Sequence, residues 1–301
     1  MNDIVIEVQN LRKTYGAFTA VDDISFSVQR GEIFGLLGPN GAGKTTTLEC
    51  LEGLRSPDSG SLRIGSIDPI HQQRQLRNLI GVQLQSGGMP ESITPDEAMR
   101  LFCAYHAVSP RYELLDRFGL GSKRSTQFYQ LSTGQQRRLA LVLAIAHEPQ
   151  VLFLDEPTAG LDVASRVELH AVMRELRASG TTIILATHDM AEAEELADRV
   201  AILLHGQLVA VGSPLTLTAT GAGLTKVSVH TRDALLLANH HPIPAVSQQM
   251  VKEDYAIYFS TDIAQTVAAI ISRVQSGGDE LLDLRVERPS LEDRFLELTN
   301  Q

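Results

Sequence analysis

The sequence predicts an α/β fold, with a parallel sheet in a larger N-terminal domain and a smaller α+β domain after it. Two apolar runs, 151–154 and 182–186, are typical of strands that lie inside a parallel sheet and are covered on both faces. A glycine-rich loop, 38–46, follows a third buried-strand pattern at 32–37. Short strands return after a glycine-rich joint near residue 221, which indicates the smaller domain.

Composition indicates an ordinary globular chain. Of 301 residues, 43% are hydrophobic and 21% are charged, which is close to ordinary usage in soluble proteins. The net charge of -10 argues against a protein whose main function is to bind nucleic acid. Cys50 and Cys103 have no paired spacing, so neither a disulfide framework nor a zinc site is indicated. Because the start lacks a signal peptide and no apolar run approaches about 18 residues, we expect any membrane role to come through a partner.

The first strands precede the glycine-rich loop. Residues 4–8 and 24–28 predict two strands of an antiparallel sheet, the second with alternating apolar and polar residues. Tyr15 falls in the connection between them. Its ring either stacks on a nucleobase or is simply an aromatic at the edge of a loop, and the residue alone does not decide between the two.

Residues 38–46, GPNGAGKTT, fit the phosphate-binding pattern G-x-x-x-x-G-K-[ST] at each fixed position. A polyphosphate needs several backbone N–H groups directed at one point, and glycines let the backbone approach that closely. Lys44 would place a cation between the β- and γ-phosphates, and Thr45 would offer a hydroxyl to Mg²⁺. A helix that starts at this loop points its positive end at the anion. The stretch therefore predicts a polyphosphate site.

A mostly helical insertion is expected over about residues 86–150, which a minimal strand–helix–strand unit would not need. Thr94 and Glu97 have the spacing of a capping box at the start of one of its helices. An insertion of this size predicts contact with a partner. The neighbouring predicted elements are strands 61–65 and 79–84, the second followed by Gln85, and helices 95–107 and 111–118.

The pentapeptide 131–135, LSTGQ, precedes an apolar helix predicted over 135–146. Ser132 and Gln135 also have the spacing of a capping box that any helix could use. The pentapeptide therefore indicates a functional site only together with the other motifs.

Three polar residues follow the two buried strands of the predicted parallel sheet. Asp155 and Glu156 end the first strand, and His188 follows the second. Ligands bind at the carboxyl ends of strands in such sheets, so Asp155 is placed to hold Mg²⁺ and Glu156 to orient an attacking water. Asp162 is expected to cap a helix over 163–178.

The C-terminal residues predict a separate α+β module. The first domain, residues 1–220, ends after a predicted hairpin of strands 200–204 and 207–211. The glycine-rich joint at 221–223 then begins the second domain, residues 221–301. His240 and His241 lack further ligands at metal-binding spacing and are interpreted as a solvated loop. The module's predicted elements are strands 227–229, 255–259 and 281–286, a helix over 262–274 and a helix that starts at Ser290.

Together these motifs resemble those of an ATP-binding cassette ATPase, the nucleotide-binding subunit of a membrane transporter. The resemblance covers about residues 4–213, with the motifs in the family's order, and departs from it at Thr133, where the family usually has glycine. It implies a P-loop NTPase cassette with an antiparallel β subdomain and a helical insertion, with ATP and Mg²⁺ as cofactors. Catalytic roles fall on Lys44, Gln85, Glu156 and His188, and metal binding falls on Thr45, Gln85 and Asp155. ATP contacts fall on Tyr15, Gly38, Asn40, Gly41, Gly43, Lys44, Thr45, Thr46, Ser132, Gly134, Gln135 and Asp162.

The resemblance also implies two cassettes that close head to tail, with each ATP between one chain's phosphate loop and the other chain's residues 131–135. We expect a homodimer, a permease on a separate chain, a location at the cytoplasmic face of the cell membrane, and no nucleic-acid partner. The ending, 288–299, is similar to that of exporter ATPases linked to drug, antibiotic or polysaccharide efflux. This similarity indicates export and leaves the cargo open.

Two other functions are considered. A soluble cassette ATPase that acts on DNA or ribosomes is disfavoured by the lack of a coiled-coil heptad run and of a second cassette in the chain. A regulatory protein that senses ATP without hydrolysing it is disfavoured because Glu156 and His188 are both present.

Overall fold

The computed structural model describes residues 3–83, 88–219, 224–238, 242–287 and 290–299. The chain divides into the units Met1–Pro214 and Leu215–Gln301, and the predicted joint at 221–223 lies outside the described residues. The first unit contains β1 (Ile4–Tyr15), β2 (Phe18–Gln29), β3 (Ile33–Leu37), α1 (Lys44–Leu51), β4 (Ser59–Ile64), α2 (Gln73–Leu79), β5 (Ile80–Gln83), α3 (Pro95–Tyr105), α4 (Tyr112–Arg117), α5 (Thr133–Ile145), β6 (Val151–Asp155), α6 (Val163–Ala178), β7 (Thr182–Thr187), α7 (Met190–Leu196), β8 (Arg199–Leu204) and β9 (Gln207–Gly212). Then follow α8 (Pro214–Ala219), β10 (Thr225–Thr231), α9 (Leu235–Ala238), β11 (Val246–Lys252), β12 (Tyr255–Ser260), α10 (Ile263–Ser276), β13 (Leu281–Glu287) and α11 (Leu291–Thr299).

A six-stranded sheet in the order β5-β6-β7-β3-β8-β9 forms the centre of the first unit, and only the last pair is antiparallel. The parallel pairing of β6 with β7 and of β7 with β3 confirms the predicted parallel sheet. Every residue of these three strands is buried, which explains the three apolar runs. Leu37 pairs with Thr187, and Asp155 pairs with Ala186. The carboxyl ends of these three strands therefore meet at one edge, so the glycine loop, Glu156 and His188 are neighbours.

A three-stranded antiparallel sheet, β2-β1-β4, precedes the helical segment, as predicted. Its hairpin is longer than expected, because β1 continues to Tyr15, which pairs with Phe18 across the turn. Tyr15 is thus the last residue of a strand and not part of a long loop. Asp58 fixes this end of β1, since its carboxylate accepts hydrogen bonds from Lys13 Nζ at 2.7 Å and from the Thr14 N–H at 2.6 Å.

The helical insertion contains α3, α4 and α5. The capping boxes at Thr94 and Ser132 are both formed, and Ser132 starts α5 at Thr133, two residues earlier than predicted. The predicted helix 95–107 ends at Tyr105, before a left-handed residue at Ala107, and the predicted helix 111–118 shortens to α4. α2 was not predicted, because its polar sequence shows only one buried residue, Leu76.

The second unit has the connectivity β-α-β-β-α-β, followed by α11, and its sheet has the order β11-β12-β10-β13 with antiparallel pairs. Val227, Tyr258 and Ile270 belong to its core. β11 and α9 were not predicted, and almost all of β11 is exposed. His240 and His241 lie outside the described residues. In the described part of the chain, no helix combines the length and apolarity that a membrane span requires.

Candidate active site

A cavity of about 340 Å³ lies between the glycine loop and the hairpin of β1 and β2. The loop and the start of α1 form one wall, the hairpin forms another, and Glu156 contributes from the end of β6. The lining residues are Tyr15, Phe18, Ala20, Asn40, Gly41, Ala42, Gly43, Lys44, Thr45, Thr46 and Glu156. Phe18 and Ala20 were not predicted as lining residues. They reach the cavity because β2 pairs with β1 in the structure, with Phe18 opposite Tyr15.

Glycines 38 and 43 are required by neighbouring backbone. A Cβ at Gly38 would lie 2.4 Å from the Leu203 carbonyl oxygen, and a Cβ at Gly43, where φ is +103°, would lie 2.4 Å from the Ala20 carbonyl oxygen. Gly41, at φ +81°, has no atom within 4 Å of such a Cβ. The loop is thus fixed on its protein side and open at Gly41, as a cradle for an anion requires.

Lys44 is buried and held by its own loop. Its Nζ donates hydrogen bonds to the carbonyl oxygens of Gly38 at 2.7 Å and Pro39 at 3.2 Å, and lies 3.8 Å from Glu156 Oε1. Burial lowers the pKa of Lys44, although the carboxylates of Glu156 and Asp155 oppose this. Both hydrogen-bond partners belong to the glycine loop, so the ammonium group is held within the loop that is expected to bind phosphate.

Asp155 and Thr45 place three oxygens beside the loop. Thr45 Oγ1 donates to Asp155 Oδ2 at 3.0 Å, and Asp155 Oδ1 is buried without a hydrogen-bond partner. Burial raises the pKa of Asp155, and the neighbouring Glu156 adds to this while Thr45 opposes it. An unpartnered carboxylate oxygen beside a hydroxyl fits the oxygen ligands that Mg²⁺ prefers. Gln85, the third predicted ligand, lies outside the described residues.

Glu156 and His188 form a pair at the edge of the cavity. The backbone of Glu156 is left-handed, with φ +50°, and its N–H donates to the Ala186 carbonyl oxygen at 2.9 Å. His188 Nδ1 lies 2.8 Å from both carboxylate oxygens of Glu156. Because a carboxylate only accepts, Nδ1 carries the proton in this contact. Glu156 is 8% exposed at its side chain and His188 is 57% exposed, so the imidazole connects the buried carboxylate to the surface.

Tyr15 is the aromatic residue at the end of β1 that lines the cavity. The Arg55 guanidinium lies 5.1 Å from the centre of its ring, and Lys13 Nζ lies 5.7 Å from it. Arg55 is held in turn by Glu49, at 2.5 Å. Arg55 and Asp58 thus support an aromatic surface at the cavity, and neither was predicted because they become neighbours of Tyr15 only through the sheet.

The residues of the LSTGQ segment do not line this cavity. Ser132 Oγ accepts the N–H of Gln135, and Gln135 Oε1 accepts the N–H of Ser132 at 3.0 Å, so both side chains cap their own helix. Asp162 likewise caps α6, where its carboxylate accepts the N–H of Ser165 at 2.9 Å. A Cβ at Gly134 would lie 3.4 Å from Ser165 Oγ, so the two loops are neighbours. They form a second surface, apart from the lining of the glycine-loop cavity.

Comparisons with known proteins identify the family. A family model described as ABC transporter matches residues 21–159. The daunorubicin resistance ATP-binding protein DrrA3 of Streptomyces coeruleorubidus is 34% identical over 99% of this chain and 97% of its own length. This chain belongs to the ABC transporter ATP-binding proteins. Other ABC relatives are the Nod factor export ATP-binding protein I of Paraburkholderia xenovorans, 36% identical over 100% of this chain and 99% of its own, and the linearmycin resistance ATP-binding protein LnrL of Bacillus subtilis, 30% identical over 99% of each.

Solved ABC structures agree with the cassette fold. The ATP-binding subunit of an ABC transporter superimposes with a TM-score of 0.68 and 31% identity, over 72% of this chain and 93% of that one. The cbiO1 protein of Clostridium perfringens, part of an ABC transporter complex, gives 0.64 and 30% over 72% and 92%. As an ABC ATPase, the chain binds ATP and hydrolyses it to power transport, in a class of subunits that work with membrane permeases.

Proposed function

We propose that this ABC ATPase powers export through a permease on a separate chain, as a pair of identical subunits at the cytoplasmic face of the cell membrane. Relatives that span nearly all of this chain are described as export or drug-resistance proteins. These relatives do not favour the alternative of a soluble cassette that acts on DNA or ribosomes. The cargo depends on the permease.

The observation that carries the proposal is the separation of the glycine-loop cavity from the Ser132–Gly134 surface. The cavity supplies a phosphate cradle, a cation and a carboxylate, and none of its lining residues comes from the LSTGQ segment of the same chain. Ser132 and Gly134 lie at the exposed start of α5, where the helix N-terminus favours an anion. Two chains arranged head to tail would each close the other's cavity with this surface, so one chain alone holds an incomplete site.

Within the closed site, each side chain has a separate task. Lys44 stabilises the negative charge of the β- and γ-phosphates, and Glu156 orients the attacking water. His188 donates from Nδ1 to Glu156, which keeps that carboxylate in position. Thr45 and Asp155, together with the Gln85 that the family resemblance implies, would hold Mg²⁺, which would supply positive charge next to the phosphates. Tyr15 offers its ring to the base.

The test is Glu156→Gln, a variant that keeps the shape of the side chain and removes its charge. We expect ATP hydrolysis to fall by about 10²–10⁴-fold, because this is the usual contribution of a positioned acid–base group. We also expect the variant with ATP to elute as a dimer in size-exclusion chromatography with light scattering. Adding Ser132→Ala to Glu156→Gln should reduce the dimer fraction. A monomer in saturating ATP, or unchanged hydrolysis, would contradict the proposal.

The permease is tested separately. Tagged Glu156→Gln protein is purified with ATP from detergent-solubilised membranes of its host, with the ATP-free preparation as control. An integral membrane protein in a fixed ratio to the cassette is expected only with ATP. Recovery of ribosomal or nucleic-acid-bound proteins instead would favour the soluble class.

A further inference from the structure

The first unit has a larger cavity, of about 540 Å³, which we call the α3–α5 groove. It lies between α3 and α5 on one side and β5 with the ends of α1 and α2 on the other. Its walls are mainly apolar, with Phe102 and Leu143 among the lining residues. Leu101 and Tyr105, 58% and 60% exposed, also line it, so the groove is bordered by apolar surface that a partner could cover.

Buried polar atoms without partners line the same groove. Gln83 is 2% exposed, and neither its amide nitrogen nor its amide oxygen has a hydrogen-bond partner. Glu52, at the end of α1, is also buried, and its Oε2 has no partner. His147 Nε2 donates to the Ile80 carbonyl oxygen at 2.9 Å, and its Nδ1 is buried without a hydrogen-bond partner. Such groups are usually satisfied in a native assembly, so the groove is prepared for a polar group as well as for an apolar segment.

The charged residues around Glu52 indicate what charge a group that binds in the groove should carry. Burial, with the carboxylates of Asp155 and Glu49, raises the pKa of Glu52 to about 8. Within the part of the chain that the structure describes, no ion pair includes Glu52. Arg77 lines the groove but donates to the Tyr105 hydroxyl at 2.6 Å.

The imidazoles of the groove do not supply a positive charge either. His106 and His147 stack with ring centres 3.8 Å apart, and burial lowers the pKa of both, with their mutual repulsion adding at His147. Both rings are therefore neutral near pH 7. A pKa of about 8 leaves Glu52 largely protonated at pH 7, so an incoming positive charge would stabilise its carboxylate and displace that proton to solvent.

We propose that the permease segment in the α3–α5 groove inserts a lysine or arginine side chain whose charged group binds Glu52 and Gln83. This inference rests on the proposed function, which supplies a permease as the occupant. The long aliphatic stem of such a side chain packs on apolar walls while its head reaches a polar group. The segment is accordingly amphipathic, with the basic residue on its apolar face.

The first test uses n-butylguanidinium as a probe of the groove and n-butylurea as its uncharged analogue. Binding to the full chain is measured by calorimetry at pH 9, above the Glu52 pKa of about 8, for the wild type, for Glu52→Gln, and for Glu91→Gln, which removes an exposed charge just outside the lining. We expect the cation to bind at least about tenfold more tightly than the urea to the wild type and to Glu91→Gln. In Glu52→Gln this preference should disappear. Equal binding of both probes to the wild type, or a preference that survives Glu52→Gln, would overturn the proposal.

Two further measurements use chains that retain Glu52 and therefore do not depend on the folding of Glu52→Gln. Wild-type crystals soaked in n-butylguanidinium should show the guanidinium within hydrogen-bond distance of Glu52 Oε2, and a position elsewhere would contradict the proposal. A photo-crosslinking amino acid at Leu101 in the permease complex should capture a permease peptide with lysine or arginine among apolar residues. A captured peptide without a basic residue refutes this inference but leaves the proposed function in place, whereas a failure to hydrolyse ATP or to recover a permease refutes the proposed function.

Discussion

Replacing Gly43 by alanine should abolish tight ATP binding, whereas the same change at Gly41 should only weaken it. Both glycines have positive φ, so alanine is strained at either position by about 1–2 kcal/mol, equivalent to roughly 5–30-fold in affinity. Gly43 has a second cost, because its Cβ would lie 2.4 Å from the Ala20 carbonyl oxygen and 3.3 Å from Val21 Cγ2. Gly41 has nothing within 4 Å and is the matched control.

The extra cost follows from the displacement that the clash requires. To reach ordinary contact distances, the loop and β2 must move apart by roughly 1 Å. A shift of that size in a positioning element can cost on the order of a hundredfold in activity. We therefore expect Gly43→Ala to lose about a hundredfold more ATP affinity than Gly41→Ala.

The assay is titration with a fluorescent ATP analogue, with thermal unfolding of both variants to establish that each is folded. Steady-state phosphate release gives a second, independent measure of the same site. Equal affinities for folded Gly43→Ala and Gly41→Ala would refute the steric argument, because the two variants differ in the contact with β2.

Further predictions concern Glu52, Ser132 and Asp58. The pKa of Glu52 is raised from 4.5 to about 8, so its contribution to stability is fully present below pH 4.5 and is lost as the pH rises to about 8. Urea unfolding should show the wild type losing on the order of 3–5 kcal/mol relative to Glu52→Gln between these pH values, and parallel pH profiles would contradict this. Ser132→Ala should lower stability by about 1 kcal/mol through loss of the α5 cap and weaken ATP-dependent dimerisation, while ATP binding to the monomer is unchanged; unchanged dimerisation would remove Ser132 from the interface. Asp58→Asn should raise the KM for ATP severalfold with little effect on kcat, because it loosens the strand that carries Tyr15; an unchanged KM would argue against that support.

The parallel sheet and the placement of its polar strand ends could be predicted from sequence because each depends on local pattern. Three buried strands produce three apolar runs, and the residue after each run must lie at the same sheet edge. This rule places His188 and Glu156 at the same sheet edge although 32 positions separate them, and the structure adds the hydrogen bond between them. The predicted ends of helices were less accurate. The helix predicted to reach residue 107 ends at Tyr105, because Ala107 takes a left-handed conformation that the sequence pattern did not indicate.

Other features depend on tertiary contacts that one sequence does not display. Arg55 reaches the ring of Tyr15 because β4 and the end of α1 bring their connection beside β1. Gln83 and Glu52 appear ordinary in sequence, since an amide in a strand and a carboxylate at a helix end are usually solvated. Only burial, and the lack of partners for their polar atoms in the described structure, distinguishes them.

The two surfaces of the first unit differ in what they lack, and this difference indicates two kinds of partner. The glycine-loop cavity has its own cation, carboxylates and cradle, and in the proposed dimer the Ser132–Gly134 surface of a second copy would cover it. The α3–α5 groove has mainly apolar walls and, among the described residues, a buried carboxyl group that forms no ion pair. We therefore propose that a second copy of the chain completes the first site and that a segment of the permease fills the second. For this reason Glu156→Gln and Glu52→Gln should separate in experiment, the first trapping the dimer and the second weakening its attachment to the permease.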